Sequence, residues 1–193
     1  MHYVYEGPHS ACGPGSGKAV QCQRMEDRFG LRHVTLGDLL CNELQSHSER
    51  GRHLQEVLER GEQLPKDTML ELLCDAVASS VQQQRPGKGL VISSFPRDLQ
   101  QAEEYEAKMG EPSAVLLLSC SPDTMSSRLQ CRGRSHTDRE SATHRRRESF
   151  CNNSRELAAH YQHKRLLHTI DAEKLPDEVF TQICQALESS FNM

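Results

Sequence analysis

The sequence predicts an α/β fold in which a central parallel sheet of about five strands carries helices on both faces. Three observations lead to this prediction. Short apolar runs alternate with longer stretches of helical periodicity, a pattern typical of successive strand–helix units. A glycine-rich segment, Gly13–Lys18, runs directly into one of the helical stretches. The length of 193 residues fits a single domain over residues 1–193 with one substantial core.

The predicted strands are short and rich in Leu, Val and Ile. The first strand is the exception, because only Tyr3–Tyr5 is strand-like and Gly7-Pro8 interrupts its connection to the glycine-rich loop. We therefore expect a first strand that is either short and displaced or poorly formed. The other strands are predicted at Leu31–Thr35, Leu90–Ile92, Val115–Leu118 and Leu166–Ile170.

Apolar residues that recur every three or four positions predict helices between the strands. Leu54, Val57 and Leu58 follow this spacing in one segment, and Met69, Leu70, Leu73 and Val77 follow it in the next. The predicted helices are 17–29, 37–61 with a break near Gly51, 67–84, 98–109, 122–131, 140–164 and 175–190.

The composition gives no general affinity for nucleic acid. Apolar residues make up 36% of the chain, charged residues 26%, and the formal net charge is −4. A negative net charge provides no overall field to attract a polyanion, so we expect no nucleic-acid partner. Against this background a group of arginines forms a local basic patch: Arg132, Arg134, Arg139, Arg145, Arg146 and Arg147.

The sequence also points away from membranes and from oxidising compartments. It contains no run of about 18 apolar residues, so we expect no membrane-spanning helix. Residues 1–6 lack the basic and apolar regions of a signal peptide. The eight cysteines form no C-x-x-C pair, which favours free thiols over a zinc site or a disulfide framework. We therefore expect a cytoplasmic protein.

The segment Gly13–Lys18 (GPGSGK) is predicted to bind the phosphates of a nucleoside triphosphate. Glycines at alternate positions let the backbone turn sharply and direct N–H groups at phosphate oxygens. The following helix adds the positive end of its dipole, and Lys18 adds a positive charge. The full motif G-x-x-x-x-G-K-[ST] is incomplete, because Cys12 stands at its first glycine and Ala19 follows the lysine.

Several further blocks support a specific family. Residues 12–22 match the pattern GGPGSGKGTQC, residues 35–41 match S-T-G-D-L-L-R, and residues 93–97 match D-G-[YF]-P-R, each with substitutions. The pair Arg128 and Arg132 and the segment Asp171-Ala172-Glu173 before a last helix fit the same order. Over about residues 11–190 the chain thus resembles the adenylate kinases, specifically the short-lid cytosolic type.

This resemblance implies a P-loop three-layer fold and the reaction ATP + AMP ⇌ 2 ADP, with Mg²⁺ carried by ATP. A small monophosphate-binding helical insert is expected at about residues 36–65 and a short lid at about residues 133–140. Phosphoryl transfer depends mainly on positioning and charge neutralisation, which suits arginine forks. ATP and AMP are the implied small-molecule partners of a monomer.

The resemblance also assigns site residues by position. The implied catalytic residues are Lys18, Arg132 and Arg146. The implied ATP-binding residues are Gly13, Pro14, Gly15, Ser16, Gly17, Lys18, Ala19, Val20, Arg128 and Arg132. The implied AMP-binding residues are Leu36, Cys41, Leu64, Ser94, Arg97, Gln101 and Arg146.

Three of these positions carry distinct implied roles. Arg97 is expected to hold the AMP phosphate, and Gln101, four residues later, to pair with the adenine edge. Arg128 is expected to flank the base of ATP, while the remaining arginines reach the phosphates.

The chain departs from the family pattern at positions that carry chemistry. Val20 and Leu36 replace threonines, Cys41 replaces an arginine that grips the AMP phosphate, and Ser93 replaces an aspartate that orders the water shell of the metal. The lid lacks about three residues, so only Arg134–Asp138 remains of its pattern. These substitutions predict nucleotide binding with reduced turnover.

Two alternatives remain open from the sequence. The chain is also compatible with a catalytically impaired nucleotide-binding protein that has a regulatory or structural role. The second alternative is a kinase for UMP or CMP, because Leu36 leaves the base pocket undefined. Gln101 favours adenine over these bases. A GTPase is disfavoured because no N-K-x-D motif occurs.

Overall fold

The computed structural model describes residues 2–6, 16–62, 66–82, 89–93, 95–130 and 155–191. Within them, five strands form one sheet in the order β2-β3-β1-β4-β5, and every neighbouring pair is parallel. The predicted α/β class is therefore confirmed. The strands are β1 (His2–Glu6), β2 (Arg32–Thr35), β3 (Leu90–Ser93), β4 (Ala114–Ser119) and β5 (Leu167–Asp171).

The helices follow the predicted order, with ends that differ by one or two residues. The predicted break in 37–61 occurs, but at residues 46–48, and Gly51 itself lies inside the next helix. Of the predicted helix 140–164, the part before residue 155 lies outside the described residues. The helices are α1 (Lys18–Phe29), α2 (Leu36–Gln45), α3 (Glu49–Glu59), α4 (Lys66–Gln82), α5 (Leu99–Met109), α6 (Pro122–Gln130), α7 (155–163) and α8 (Pro176–Phe191).

Strand β1 lies at the centre of the sheet, so the expectation of a displaced or poorly formed first strand is wrong. Val4 is in register with Ser93 of β3 on one side and with Leu116 of β4 on the other. The strand ends at Glu6, before Gly7-Pro8, so the two breakers do not interrupt the ladder. The parallel strands β3 and β4 hydrogen-bond to β1 on both sides. This pairing stabilises β1, and it could not be predicted from the short sequence of β1 alone.

A hydrophobic cluster covers each face of the sheet. Strand residues alternate between the two clusters: Ile92 packs with α4, α5 and α7, while the adjacent Val91 packs with α1 and α8. Both side chains are fully buried, which explains why the central strands are continuous apolar runs. The result is a three-layer arrangement of helices, sheet and helices.

The close approach of α3 to the end of α2 requires a glycine at position 51. Ser48 caps α3 by accepting a hydrogen bond from the Gly51 N–H at 2.8 Å. Arg50 then pairs with Glu43 of α2 at 3.0 Å and with Asp75 of α4 at 2.7 Å. These contacts bring α3 so close to the end of α2 that Gly51 is buried against its last carbonyls.

Gly51→Ala is expected to lower the free energy of unfolding by about 1–3 kcal/mol, the usual range for overpacking. A Cβ at position 51 would lie 2.9 Å from the Ser46 carbonyl oxygen and closer still to that of Glu43. Urea denaturation measures the loss. Gly37→Ala is the matched control, because a Cβ there would meet its nearest atom at 3.8 Å. Equal stability of the two variants would contradict the packing explanation.

Candidate functional site

The sheet topology places a crevice at the carboxyl ends of β1 and β4. The chain leaves β1 towards β2 on one side of the sheet and leaves β4 towards β5 on the other. In open parallel sheets, ligands bind where neighbouring connections diverge in this way. The loop that follows β1 contains Gly13–Gly15, which lie outside the described residues. Its last part, Ser16 and Gly17, leads into α1 at this crevice.

The start of α1 has the geometry of an anion-binding helix end. Gly17 adopts the left-handed conformation with φ 87°, which glycine tolerates without the strain that a Cβ would bring. The Gln21 N–H donates to the Gly17 carbonyl at 3.1 Å, and the N–H groups before it belong to the first helical turn, where the dipole favours negative charge. Lys18 opens this turn. Val20, 37% exposed, adds an apolar side chain there.

A histidine that sequence reasoning missed lies beside Ser93. The Nε2 atom of His33 is 2.8 Å from the Ser93 Oγ, and Ser93 is only 2% exposed. Burial lowers the pKa of His33, and the charge of Lys18 acts in the same direction, while Glu26 and Asp38 oppose them. A neutral imidazole can therefore accept a hydrogen bond from the Ser93 hydroxyl. The available signal was the position of His33 in a short strand directly before a helix.

His33 is expected to make the protein less stable as the pH falls below its ordinary pKa of 6.5. Since the pKa in the folded state is lowered, the unfolded chain binds the proton more readily. The stability that neutral His33 provides is therefore complete above pH 6.5 and is lost as the pH falls through the folded-state pKa. His33→Gln keeps an acceptor for Ser93 but does not titrate. The melting temperature of this variant should therefore change less between about pH 7.5 and about pH 5.5 than that of the unmodified protein.

Thermal unfolding across this pH range makes the comparison, with His163→Gln as the control. His163 is exposed on α7. If the control flattens the curve as strongly as His33→Gln does, the half-buried His33 is not the titrating group responsible.

The structure brings Arg97 and Gln101 together at the start of α5. Asp98 caps the helix by accepting from the Gln101 N–H at 2.8 Å, and the Gln101 Oε1 accepts from the Arg97 N–H at 3.0 Å. The Arg97 side chain is exposed beyond the carboxyl end of β3. Two of the predicted AMP-side residues thus share one helix end.

Two other predicted residues, Leu36 and Cys41, lie on α2. Leu36 is 2% exposed and packs in the hydrophobic cluster beneath the sheet edge, so its side chain contributes to the core. Cys41 is an exposed free thiol on the same helix.

The far side of the crevice is built from α6 and the loop between β5 and α8. A cleft of about 550 Å³ lies at the ends of β4 and β5, beside the β5–α8 loop. The Arg128 Nη2 donates to the carbonyls of Glu173 at 3.4 Å and Lys174 at 3.2 Å. The cleft is lined by Ser119, Cys120, Ser121, Thr169, Asp171, Glu173 and Gln182.

The described residues do not form a resident magnesium site. Among them, no group of three or more His, Cys, Asp or Glu side chains is arranged to hold a metal ion. Mg²⁺ takes about six oxygen ligands, and Ser93 offers one uncharged hydroxyl, which lies within hydrogen-bond distance of His33. Phosphate oxygens and water would have to supply the remaining ligands.

Several predicted site residues lie outside the described residues, so their places in the site stay predictions. They are Gly13, Pro14, Gly15, Leu64, Ser94, Arg132 and Arg146, together with the lid segment that contains Arg134–Asp138. None of the helices in the described part of the chain is both long enough and apolar enough to cross a membrane.

Comparison with known proteins identifies similar chains. The adenylate kinase family model matches residues 11–166. Adenylate kinase isoenzyme 1 of Homo sapiens is 36% identical over 180 residues, which cover 92% of this chain and 91% of that protein. Adenylate kinase isoenzyme 5 of Homo sapiens is 38% identical over 182 residues, which cover 93% of this chain but 32% of that protein. The chain thus spans about a third of the isoenzyme 5 relatives that it matches.

Proposed function

The chain belongs to the adenylate kinase family, a family of phosphotransferases, and we propose that it transfers a phosphoryl group reversibly between ATP and AMP, giving two ADP. The observation that supports this most directly is the start of α1, where Gly17 and Lys18 face the crevice beyond the central strand. A helix end of this kind binds phosphate. The helical pair α2–α3 is proposed as the monophosphate-binding insert, and the lid is proposed at about residues 133–140.

The proposed roles divide the crevice into an ATP side and an AMP side. Lys18 neutralises the β- and γ-phosphates, and Arg128 flanks the base of ATP beside Glu173 and Lys174. Arg97 holds the AMP phosphate, and Gln101 contacts its adenine. The Oε1 of Gln101 already accepts from the Arg97 N–H, which couples the two AMP contacts.

Charge neutralisation by these groups is the chemistry that the protein supplies. Arg132 and Arg146 complete the proposed catalytic set. The remaining proposed ATP contacts are Gly13, Pro14, Gly15, Ser16, Gly17, Ala19 and Val20. The remaining proposed AMP contacts are Leu36, Cys41, Leu64 and Ser94.

Mg²⁺ belongs to this proposal as part of the MgATP substrate. The ion supplies charge neutralisation on the phosphate oxygens when it is bound. The described residues offer it no carboxylate cage, so its ligands come mainly from the nucleotide and water. The proposed setting is the cytoplasm, with the protein acting as a monomer on small-molecule substrates.

A slow or impaired enzyme is the second candidate, and Ser93 is the observation that favours it. A buried neutral hydroxyl paired with a neutral imidazole gives no negative charge to balance a divalent cation. Cys41 leaves an exposed thiol at a position where an arginine would bind phosphate. The change at Cys41 weakens the contact with the AMP phosphate, and the change at Ser93 weakens phosphoryl transfer, while the proposed ATP contacts at the start of α1 are kept.

A coupled assay of ADP formation tests the proposal. Purified protein is incubated with ATP, Mg²⁺ and one of AMP, CMP, UMP or GMP, with Lys18→Ala as the inactive control. AMP-dependent ADP above the control supports the adenylate kinase activity, and a preference for CMP or UMP would replace the assigned monophosphate. ATP binding by calorimetry without ADP above the control would instead support the nucleotide-binding candidate.

A further inference from the structure

Glu173 joins two elements that are far apart in the sequence. Its carboxylate accepts a hydrogen bond from the Ser121 N–H on Oε1 and one from the Thr124 hydroxyl on Oε2. Ser121 precedes α6, and its own Oγ accepts from the Thr124 N–H at 3.2 Å. A side chain from the β5–α8 loop thereby places a negative charge at the positive end of α6.

The same loop receives a second pair of hydrogen bonds from further along α6. Arg128 donates through Nη2 to the carbonyls of Glu173 and Lys174. The hydrogen bonds from Thr124 and Ser121 to the Glu173 carboxylate lower the pKa of that carboxyl group, and the charge of Arg128 adds to the effect. The loop therefore contacts α6 near both of its ends. The Glu173 carboxylate accepts hydrogen bonds at the start of the helix, and the loop carbonyls accept hydrogen bonds from the Arg128 guanidinium near its end.

The first turn of α8, which follows the loop, is fixed to α1. The Pro176 carbonyl accepts from Gln21 and from Arg24, both at 2.9 Å. Arg24 also forms an ion pair with Asp177 at 2.7 Å. Since these contacts do not involve Glu173, a change at position 173 should release the loop from α6 while the attachment of α8 to α1 remains.

The position of the guanidinium follows from this arrangement. An arginine side chain has five N–H donors in one plane, and the two on Nη2 point at the loop carbonyls. The donors on Nε and Nη1 and the flat face of the group do not take part in these bonds. A nucleotide base stacks on a guanidinium plane most favourably when that plane is held in advance.

We propose that Glu173 is a positioning residue for ATP: by holding the β5–α8 loop against α6, it fixes Arg128 in the orientation that receives the base. This inference rests on the proposed function, in which Arg128 contacts ATP. Glu173 itself does not touch the nucleotide. Its effect should therefore reach ATP only through Arg128 and should leave AMP binding unchanged.

The test is a double-mutant cycle in which ATP and AMP affinities are each measured by calorimetry. Glu173→Ala should weaken ATP binding about tenfold, a coupling of ordinary size for neighbours in one hydrogen-bonded network. AMP affinity should stay within about twofold. In the Arg128→Ala background, Glu173→Ala should produce no further loss, because the group that it positions is absent.

Milder variants keep the test decisive if Glu173→Ala does not fold. Glu173→Gln retains one acceptor oxygen and should restore most of the affinity. Thr124→Val removes the hydroxyl that Glu173 holds while conserving shape, and should weaken ATP binding about threefold. Glu188→Ala, an exposed glutamate on the same α8 that follows the loop, is the matched control and should bind ATP as the unmodified protein does.

Three results would overturn the inference. They are unchanged ATP affinity in both Glu173→Ala and Thr124→Val, an additive loss in the double variant, or an equal loss of AMP affinity. These outcomes differ from failure of the proposed function, in which the unmodified protein itself binds no ATP.

Discussion

The double variant Cys41→Arg/Ser93→Asp is expected to raise kcat/KM for AMP phosphorylation by about 100-fold. A charged, bidentate contact to a phosphate is worth about 2–4 kcal/mol, or about 30- to 1,000-fold in kcat/KM, and Cys41→Arg would supply such a contact to the AMP phosphate. Cys41 is exposed on α2, so the long side chain can be accommodated without displacing the core. A coupled assay at subsaturating AMP measures the gain.

The second substitution depends on His33. An aspartate at position 93 would replace a hydroxyl that lies 2.8 Å from the imidazole Nε2 in a place that is 2% exposed. A buried carboxylate is stable only when it is paired, and His33 is in position to take up a proton and pair with it. The pKa of His33 should therefore rise in the variant, which NMR titration of the imidazole can follow. The ionised carboxylate then offers acceptor oxygens to the water around Mg²⁺.

The control for added charge is Asn42→Arg combined with Ser93→Asp. Asn42 is exposed beside Cys41 on α2, but it points about 100° further round the helix. The same change in net charge should then leave kcat/KM close to that of Ser93→Asp alone. If the Cys41→Arg combination gains no more than this control, positions 41 and 93 do not limit turnover.

The sequence could predict those parts of the molecule in which local pattern and tertiary structure agree. Central strands such as β4 are apolar runs because both faces are covered. Arg97 and Gln101 meet because Asp98 caps α5, and the Gln101 side chain then reaches back to the residue before the cap. The first strand could not be predicted from its own residues. Its stability comes from β3 and β4 on either side, and such long-range pairing leaves little trace in five residues.

Two side chains whose roles the sequence does not predict act through partners distant in the chain. His33 meets Ser93 across 60 positions, and Glu173 reaches Ser121 across 52. Gly51 predicts a nearby helix break, and in the structure its role is to let two helices approach closely. In each case the residue type was visible in the sequence, but its function depends on which surface the fold brings against it.

Lys18→Met is expected to lower kcat/KM at least 100-fold and to weaken ATP binding. The reason is electrostatic, since a charge that neutralises the transferring phosphates contributes about 10²–10³ in rate, and methionine keeps the length of the side chain without that charge. Lys108→Met, at an exposed position on α5, is the matched control and should retain full activity.

A second measurement separates loss of the Lys18 charge from loss of structure. Lys18 lowers the pKa of His33 by charge repulsion, so Lys18→Met should raise that pKa in a protein that is still folded. NMR titration of His33 therefore reports whether the charge at the start of α1 reaches the Ser93 side of the crevice. A raised His33 pKa together with lost activity would indicate that the Lys18 charge acts both on His33 and on the reacting phosphates. A raised pKa with undiminished activity would show instead that the charge is present in the crevice but does not act on the substrate, and the assignment of Lys18 to the phosphates would have to be abandoned.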